Sequence, residues 1–204
     1  MIASSLQRVS SLLLAATLGS TATAAQQLAM TLWTFLAFAL DAIAIAAQAI
    51  TGRYLGAGDL GVARRATDRM VRWGVLSGVV TGAVLALAAP VLGGLFTGDP
   101  EVQAALWPVL LVAALFQPLA GLVFVLDGVL IGAGDGRYLA WAGAAVLAVF
   151  APLAWLAVAS APAGHGLVAL WLAFGVGFMG SRAAVLLVRA RGTTWMVTGV
   201  PARP

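Results

Sequence analysis

An all-α integral membrane protein, folded as a bundle of six transmembrane helices, is the class this sequence predicts. Three observations carry that reading. Of its 204 residues, 62% are hydrophobic and only 9% charged, with a mean hydropathy of +1.04, a composition that soluble domains of this size do not have. Six apolar segments can be drawn through the chain. Its basic residues are all arginines, eleven of them, and with six spans they fall on one side of the bilayer, which the positive-inside rule makes cytoplasmic.

The first segment runs roughly from Ile2 to Leu18 and is short and rich in Ser and Thr. Gly19 and Ser20 mark a tight turn on the outer side. The second segment, about Thr23 to Thr51, is almost wholly apolar from Leu28 to Ile50; at ~1.5 Å per residue it is long enough to cross a bilayer as a helix. The third runs from about Met70 to Phe96, with Pro90 as a kink. The fourth runs from about Val102 to Ile131, the fifth from about Tyr138 to Ala159 and the sixth from about Gly166 to Val188. Membrane helices tolerate the internal prolines because neighbouring groups satisfy the freed carbonyls.

The junctions are readable too. In Thr97-Gly98-Asp99-Pro100-Glu101, Asp99 can cap a helix, Pro100 suits its first position, and Glu101 complements the positive end of the dipole. Gly56-Ala57-Gly58-Asp59 and Gly132-Ala133-Gly134-Asp135 are two copies of one helix-ending turn. Their glycines supply positive φ, and each aspartate can cap the next helix. The stretch Leu60 to Trp73 after the first copy reads as a basic amphipathic segment along the membrane surface. Trp73 and Trp141 are expected near the inner interface, and Trp107, Trp155 and Trp171 near the outer one.

Several chemistries are excluded. There is no cysteine and no lysine, which removes disulfides, thiolate metal sites, P-loop chemistry and Schiff bases. The single histidine, His165, sits in an outer turn. The net charge of +4 and pI near 11.1 would suggest a nucleic-acid partner in a soluble protein; here the arginines mark topology, so the lipid bilayer is the partner and nucleic acid is not.

Of seven acidic residues, five fall in loops and two, Asp41 and Asp127, fall within the membrane. An aspartate at the centre of a membrane helix costs about 2.5–3.5 kcal/mol to insert, so it is expected to face a bundle interior or wet cavity, where it can take a proton or hold a cation. Thr34 and Gln48 lie seven residues either side of Asp41, nearly two turns each way, and form a polar stripe with it. Asp127 lies five residues before its Gly-Ala-Gly-Asp turn, so it is expected nearer the inner surface than Asp41. The bland alternative for Thr34, Asp41 and Gln48 is interhelical hydrogen bonding, and for Asp127 it is a wetted residue near the helix end.

The run FALDAIAIAAQAITGRYLGAGD, with basic residues after it, resembles helix eight and its cytoplasmic loop in multidrug and toxic compound extrusion (MATE) transporters, most closely the DinF-like branch. ATLGSTATAAQQLAMTLWTF is similar to the turn preceding it, and FQPLAGLVFVLDGVLIGAGDGRYLA to helix ten and the loop after it. The resemblance implies the C-terminal lobe of a twelve-helix fold with a central cleft. It also implies efflux of small cationic or amphipathic compounds, driven by a proton or sodium gradient and needing no cofactor. The location expected is a cell inner (plasma) membrane, and the one-sided arginines put both termini on the cytoplasmic side. Asp127 stands where the family has an acidic residue on helix ten, whereas Met1 to Met30 hold no carboxylate to match the one on helix seven of the sodium-coupled branch. The N-terminal lobe is missing from the match, so the chain is expected to be a truncated form or, alternatively, a half-transporter that pairs with a second chain. Other classes weighed are a membrane protein with no transport role and an intramembrane aspartyl protease. The paired membrane aspartates and the GAGD turns invite the protease reading. The absence of a Pro-Ala-Leu element, and the position of both turns beside arginines at cytoplasmic helix ends, argue against it, and no enzyme is expected.

Overall fold

The computed structural model describes residues 19–198. Five helices in this range are long and apolar enough to cross a membrane. They are α1 (Gly19–Gly56), α2 (Leu60–Phe96), α3 (Pro100–Gly132), α4 (Gly136–Ser160) and α5 (Gly166–Arg191). The first expected span, around Ile2 to Leu18, lies outside the described residues, so the six-helix count is met only as five here. The other expected spans recur with Phe96 and Gly166 ending and starting their helices as expected and the remaining ends displaced outward, by a few residues everywhere but at the start of α2, where the helix begins at Leu60 instead of Met70.

The two Gly-Ala-Gly-Asp turns are the same structure. In the first, Ala57, Gly58 and Asp59 donate their backbone N–H to Arg53, Leu55 and Tyr54; in the second, Ala133, Gly134 and Asp135 donate to Val129, Ile131 and Leu130. Gly58 and Gly134 both take φ of +77°, which is why glycine stands there. The aspartates then diverge. Asp59 caps α2 through the amide of Val62 at 2.9 Å. Asp135 makes no cap and instead holds Arg189, at 2.6 Å to Nε and 3.1 Å to Nη2. The expected capping role is therefore right for one copy only. On the other side, Asp99 caps α3 as expected, accepting from the amide of Glu101 at 2.9 Å.

No separate surface helix comes after the first turn, contrary to expectation. α2 begins at Leu60 and stays helical through Pro90 to Phe96. The reason lies in its buried face. Ala63, Thr67, Met70, Gly74, Gly78, Gly82, Leu85, Ala89 and Gly93 form one stripe at spacings of three and four. The arginines lie off this stripe, so the same face packs inward through the basic and the apolar halves alike.

α3 is the most buried of the five spans and packs against α1, α2 and α5. Small residues set the spacing. On the α2 side a Cβ at Gly74 would lie 2.6 Å from the carbonyl oxygen of Gly121, and one at Gly82 would lie 2.6 Å from that of Ala114. On the α1 side Gly128 and Gly132 abut the backbone of Ala44 and Gln48. Backbones brought this close gain dispersion contacts along their whole length, the main attraction between helices in lipid.

The α1–α2 turn, the α3–α4 turn and the end of α5 share one end of the bundle. The Arg64 guanidinium donates to the carbonyls of Ala190, Arg191 and Gly192 at the end of α5. Trp195 folds back, buried, with its indole N–H on the carbonyls of Ala190 and Gly192. Four tryptophans expected at the interfaces are exposed: Trp73, Trp107, Trp141 and Trp155. Trp171 is not. It is buried, donates its indole N–H to Gln26 at 2.6 Å, and packs edge-on to Trp33 and Phe174. A polar partner inside the bundle removes the need for an interfacial seat. His165, as expected, is exposed in the turn before α5.

Candidate functional site

A cavity of about 810 Å3 opens between α1, α3, α4 and α5, and Asp41, Gln48, Asp127 and Arg182 all line it. Its remaining wall is mostly apolar, with Ala44, Ile45, Phe124 and Leu147 among the lining side chains. α1 and α3 run in the same direction, and their close contact sets the height of the carboxylates. Gly128 seats against the backbone of Ala44, and Gly132 against that of Gln48. Asp127 therefore stands about two residues from the level of Asp41, roughly 3 Å along the axis. Asp127 is thus the nearer of the two to the turn end, as expected, but by a smaller step than its distance from its own turn implies. α1 overshoots α3 at the turn end, since Gly52 also faces the carbonyl of Gly132, so counting residues back from each turn misjudges depth.

The two carboxylates differ in the partners that hold them. Asp127 accepts from Nη2 of Arg182 at 2.6 Å, and the Arg182 side chain is only 7% exposed. A second guanidinium nitrogen reaches the carbonyl of Leu139 at 3.4 Å. Asp41 makes no ion pair or hydrogen bond among the described residues. It is partly exposed toward the cavity, and Gln48 lies two turns below it on the same wall. Thr34 is not part of the site: it is exposed, and its hydroxyl donates to the carbonyl of Met30 at 2.7 Å. The polar stripe thus contributes two of its three members. In a membrane helix the third satisfies its hydroxyl on the preceding turn, as Thr commonly does.

The sequence reading missed the role of Arg182. The signal was present: an arginine in the apolar run GFMGSRAAVLL requires a carboxylate or carbonyl partner at its own depth. The helix geometry around it could not be foreseen. Phe174–Gly180 is a π-helical stretch, where each turn takes in one extra residue and so rotates the face presented by the next turn of helix. The hydroxyl of Ser181 donates back to the carbonyls of Gly177 and Phe178, and Arg182 is the next residue. Such widened turns are frequent at functional sites.

Chemically, the site offers one carboxylate already neutralised by a built-in cation, one carboxylate open to a visitor, and a primary amide two turns along the same wall. An aspartyl dyad, which needs two carboxyls sharing a proton, is not available while Arg182 holds Asp127.

Comparison with known proteins decides the family. The sequence model of the MatE family matches residues 1–156. The chain belongs to the MatE family. Two plant relatives are similar to this MatE chain over part of its length. Protein DETOXIFICATION 45, chloroplastic, of Arabidopsis thaliana is 31% identical over 114 residues, which is 56% of this chain and 20% of that protein. Protein DETOXIFICATION 44, chloroplastic, of the same plant is 36% identical over 115 residues, 56% of this chain and 22% of that protein. The chain therefore spans about a fifth of the length of these relatives. No solved structure matches this MatE chain.

Proposed function

We propose that this chain forms the C-terminal lobe of a secondary active efflux transporter, a multi-pass inner-membrane antiporter of the DinF-like type. It expels small cationic or amphipathic compounds in exchange for protons or sodium. The observation that carries the reading is Asp41: an open carboxylate, two turns above Gln48, on the wall of a mostly apolar cavity whose other charges, Asp127 and Arg182, are paired with each other. Such a cavity binds by shape and apolar contact, with few polar anchors, and a carboxylate at membrane depth is the anchor a cation needs. The relatives' name, Protein DETOXIFICATION, agrees with export of unwanted compounds. The partner lobe is supplied by the same polypeptide or by a second chain.

The test is efflux of a fluorescent cationic dye from vesicles with an imposed proton gradient, in the transporter that carries this lobe, normalised to protein level. Asp41→Asn keeps volume and one hydrogen-bonding oxygen but cannot ionise. It is expected to insert normally, since it removes a charge from the membrane, and to lower efflux by about tenfold, the loss of a charge-assisted contact of roughly 1.5 kcal/mol. Wild-type efflux by this variant across a pH series would assign Asp41 to helix packing.

The proposed orientation places the two Gly-Ala-Gly-Asp turns and the end of α5 in the cytoplasm, with both chain termini. Single cysteines at Ser20, Thr97 and Ala163 are expected to react with an impermeant reagent applied outside, and cysteines at Ala57 and Gly136 are not. The reverse pattern would invert the topology.

A further inference from the structure

The outward face of α2 carries a feature that efflux does not use. Trp73, Leu76, Val80, Val84, Leu87 and Val91 are all roughly half exposed or more and run up one side of the helix. From Trp73 to Leu95 this exposed face covers about 33 Å, the thickness of a bilayer's hydrocarbon core. It ends abruptly at Trp73. Below it the same side continues as Arg72, Arg69 and Arg65, all exposed. A shallow groove of about 430 Å3 lies across this boundary, lined by Arg69, Arg72, Trp73 and Leu76.

Neither Arg69 nor Arg72 has an ion pair or a hydrogen bond from its side chain within the described residues. Their neighbour Arg64 is fully engaged on the end of α5, and the pairs that do form use Arg182 and Arg189. Asp68, the single acid in this stretch, is exposed and bonded to neither arginine, so the groove keeps a net positive charge.

We propose that this groove is a binding site for an anionic glycerophospholipid. Its phosphodiester sits between the guanidinium groups of Arg69 and Arg72, Trp73 lies at the level of the glycerol, and an acyl chain runs along Leu76, Val80 and Val84. Planar guanidinium forks match phosphate oxygens. The depth is that of a headgroup, because tryptophan and the first arginines below an apolar span mark the interface. A zwitterionic lipid brings a cationic group to the same arginines and gains less. Anionic lipid is favoured by roughly fivefold per arginine, so two arginines give a preference well above tenfold.

The experiment is native mass spectrometry of the purified protein after equilibration with equal amounts of phosphatidylglycerol and phosphatidylcholine. One phosphatidylglycerol is expected to be retained in preference. R69Q/R72Q is expected to lose that preference by about tenfold or more, whereas R53Q/R137Q, which removes two exposed arginines outside the groove, leaves it intact. All four side chains are exposed, so both variants fold. Equal retention of the two lipids, unchanged retention by R69Q/R72Q, or an equal loss in R53Q/R137Q would each overturn the proposal. Displacement of the lipid by millimolar inorganic phosphate would also overturn it, by making the groove a site for a free anion. The outcome is independent of whether Asp41 supports efflux.

Discussion

Arg182→Gln is expected to destabilise the protein by about 3–5 kcal/mol, toward the lower figure because one side of Asp127 meets the cavity. The substitution leaves the Asp127 carboxylate at membrane depth without the counter-ion that holds it. Asp127→Asn is expected to cost a similar amount for the mirror-image reason, since Arg182 is the more deeply buried partner at 7% side-chain exposure against 28%. The pair Asp127→Asn with Arg182→Gln removes both charges and retains a polar contact. It is expected to recover stability to within about 1 kcal/mol of wild type, because replacing a whole buried pair is close to neutral. Thermal unfolding in detergent reads all three. Full stability of Arg182→Gln alone would show that Asp127 finds its compensation elsewhere.

The second large effect is steric. Gly78 lies against α3 so closely that a Cβ there would fall 2.7 Å from Cα of Pro118 and 2.8 Å from the carbonyl carbon of Gln117. These are backbone atoms, which cannot rotate away as a side-chain tip can, so α2 and α3 must separate. Gly78→Ala is expected to cost about 1–3 kcal/mol and Gly78→Leu more, with Gly74 and Gly121 behaving alike. Gly94 is the control. It is on the same helix with nothing near its Cβ position, so Gly94→Ala is expected to be neutral or to stabilise by up to about 1 kcal/mol through helix propensity. Folded yield after size-exclusion chromatography and the unfolding temperature check the order; equal effects at Gly78 and Gly94 would refute close backbone packing as the cause.

Much of the fold was legible because apolar length and turn chemistry are local properties. Gly58 and Gly134 announced the two matching turns, Asp99 and Pro100 announced the start of α3, and α3 itself ends one or two residues beyond the apolar run that signalled it. Hydropathy marks where a helix enters lipid, not where it starts, which is why it points to Met70 although the packed stripe of α2 begins at Ala63. The site was half legible. Asp41 and Asp127 stand out in any apolar run, but their relative depth depends on how far α1 slides past α3, and that is set by Gly128 and Gly132 meeting Ala44 and Gln48. Thr34 shares a helix face with Asp41 on paper, yet the cavity does not extend to it. The partnership of Asp127 with Arg182 joins residues 55 positions apart through a π-helical turn, and no spacing rule reaches that far.

In the proposed transporter it is Asp41, and not the Arg182-neutralised Asp127, that receives the positive charge of a ligand. Isothermal titration of the purified transporter with tetraphenylphosphonium, a lipophilic ion of single charge, tests it most directly. Three proteins are compared: wild type, Asp41→Asn, and the double variant Asp127→Asn with Arg182→Gln, which leaves the net charge of the cavity unchanged. Binding is expected to be about tenfold weaker for Asp41→Asn, a loss of about 1.4 kcal/mol, and within about twofold of wild type for the double variant. Wild-type affinity in Asp41→Asn together with loss of binding in the double variant would contradict it.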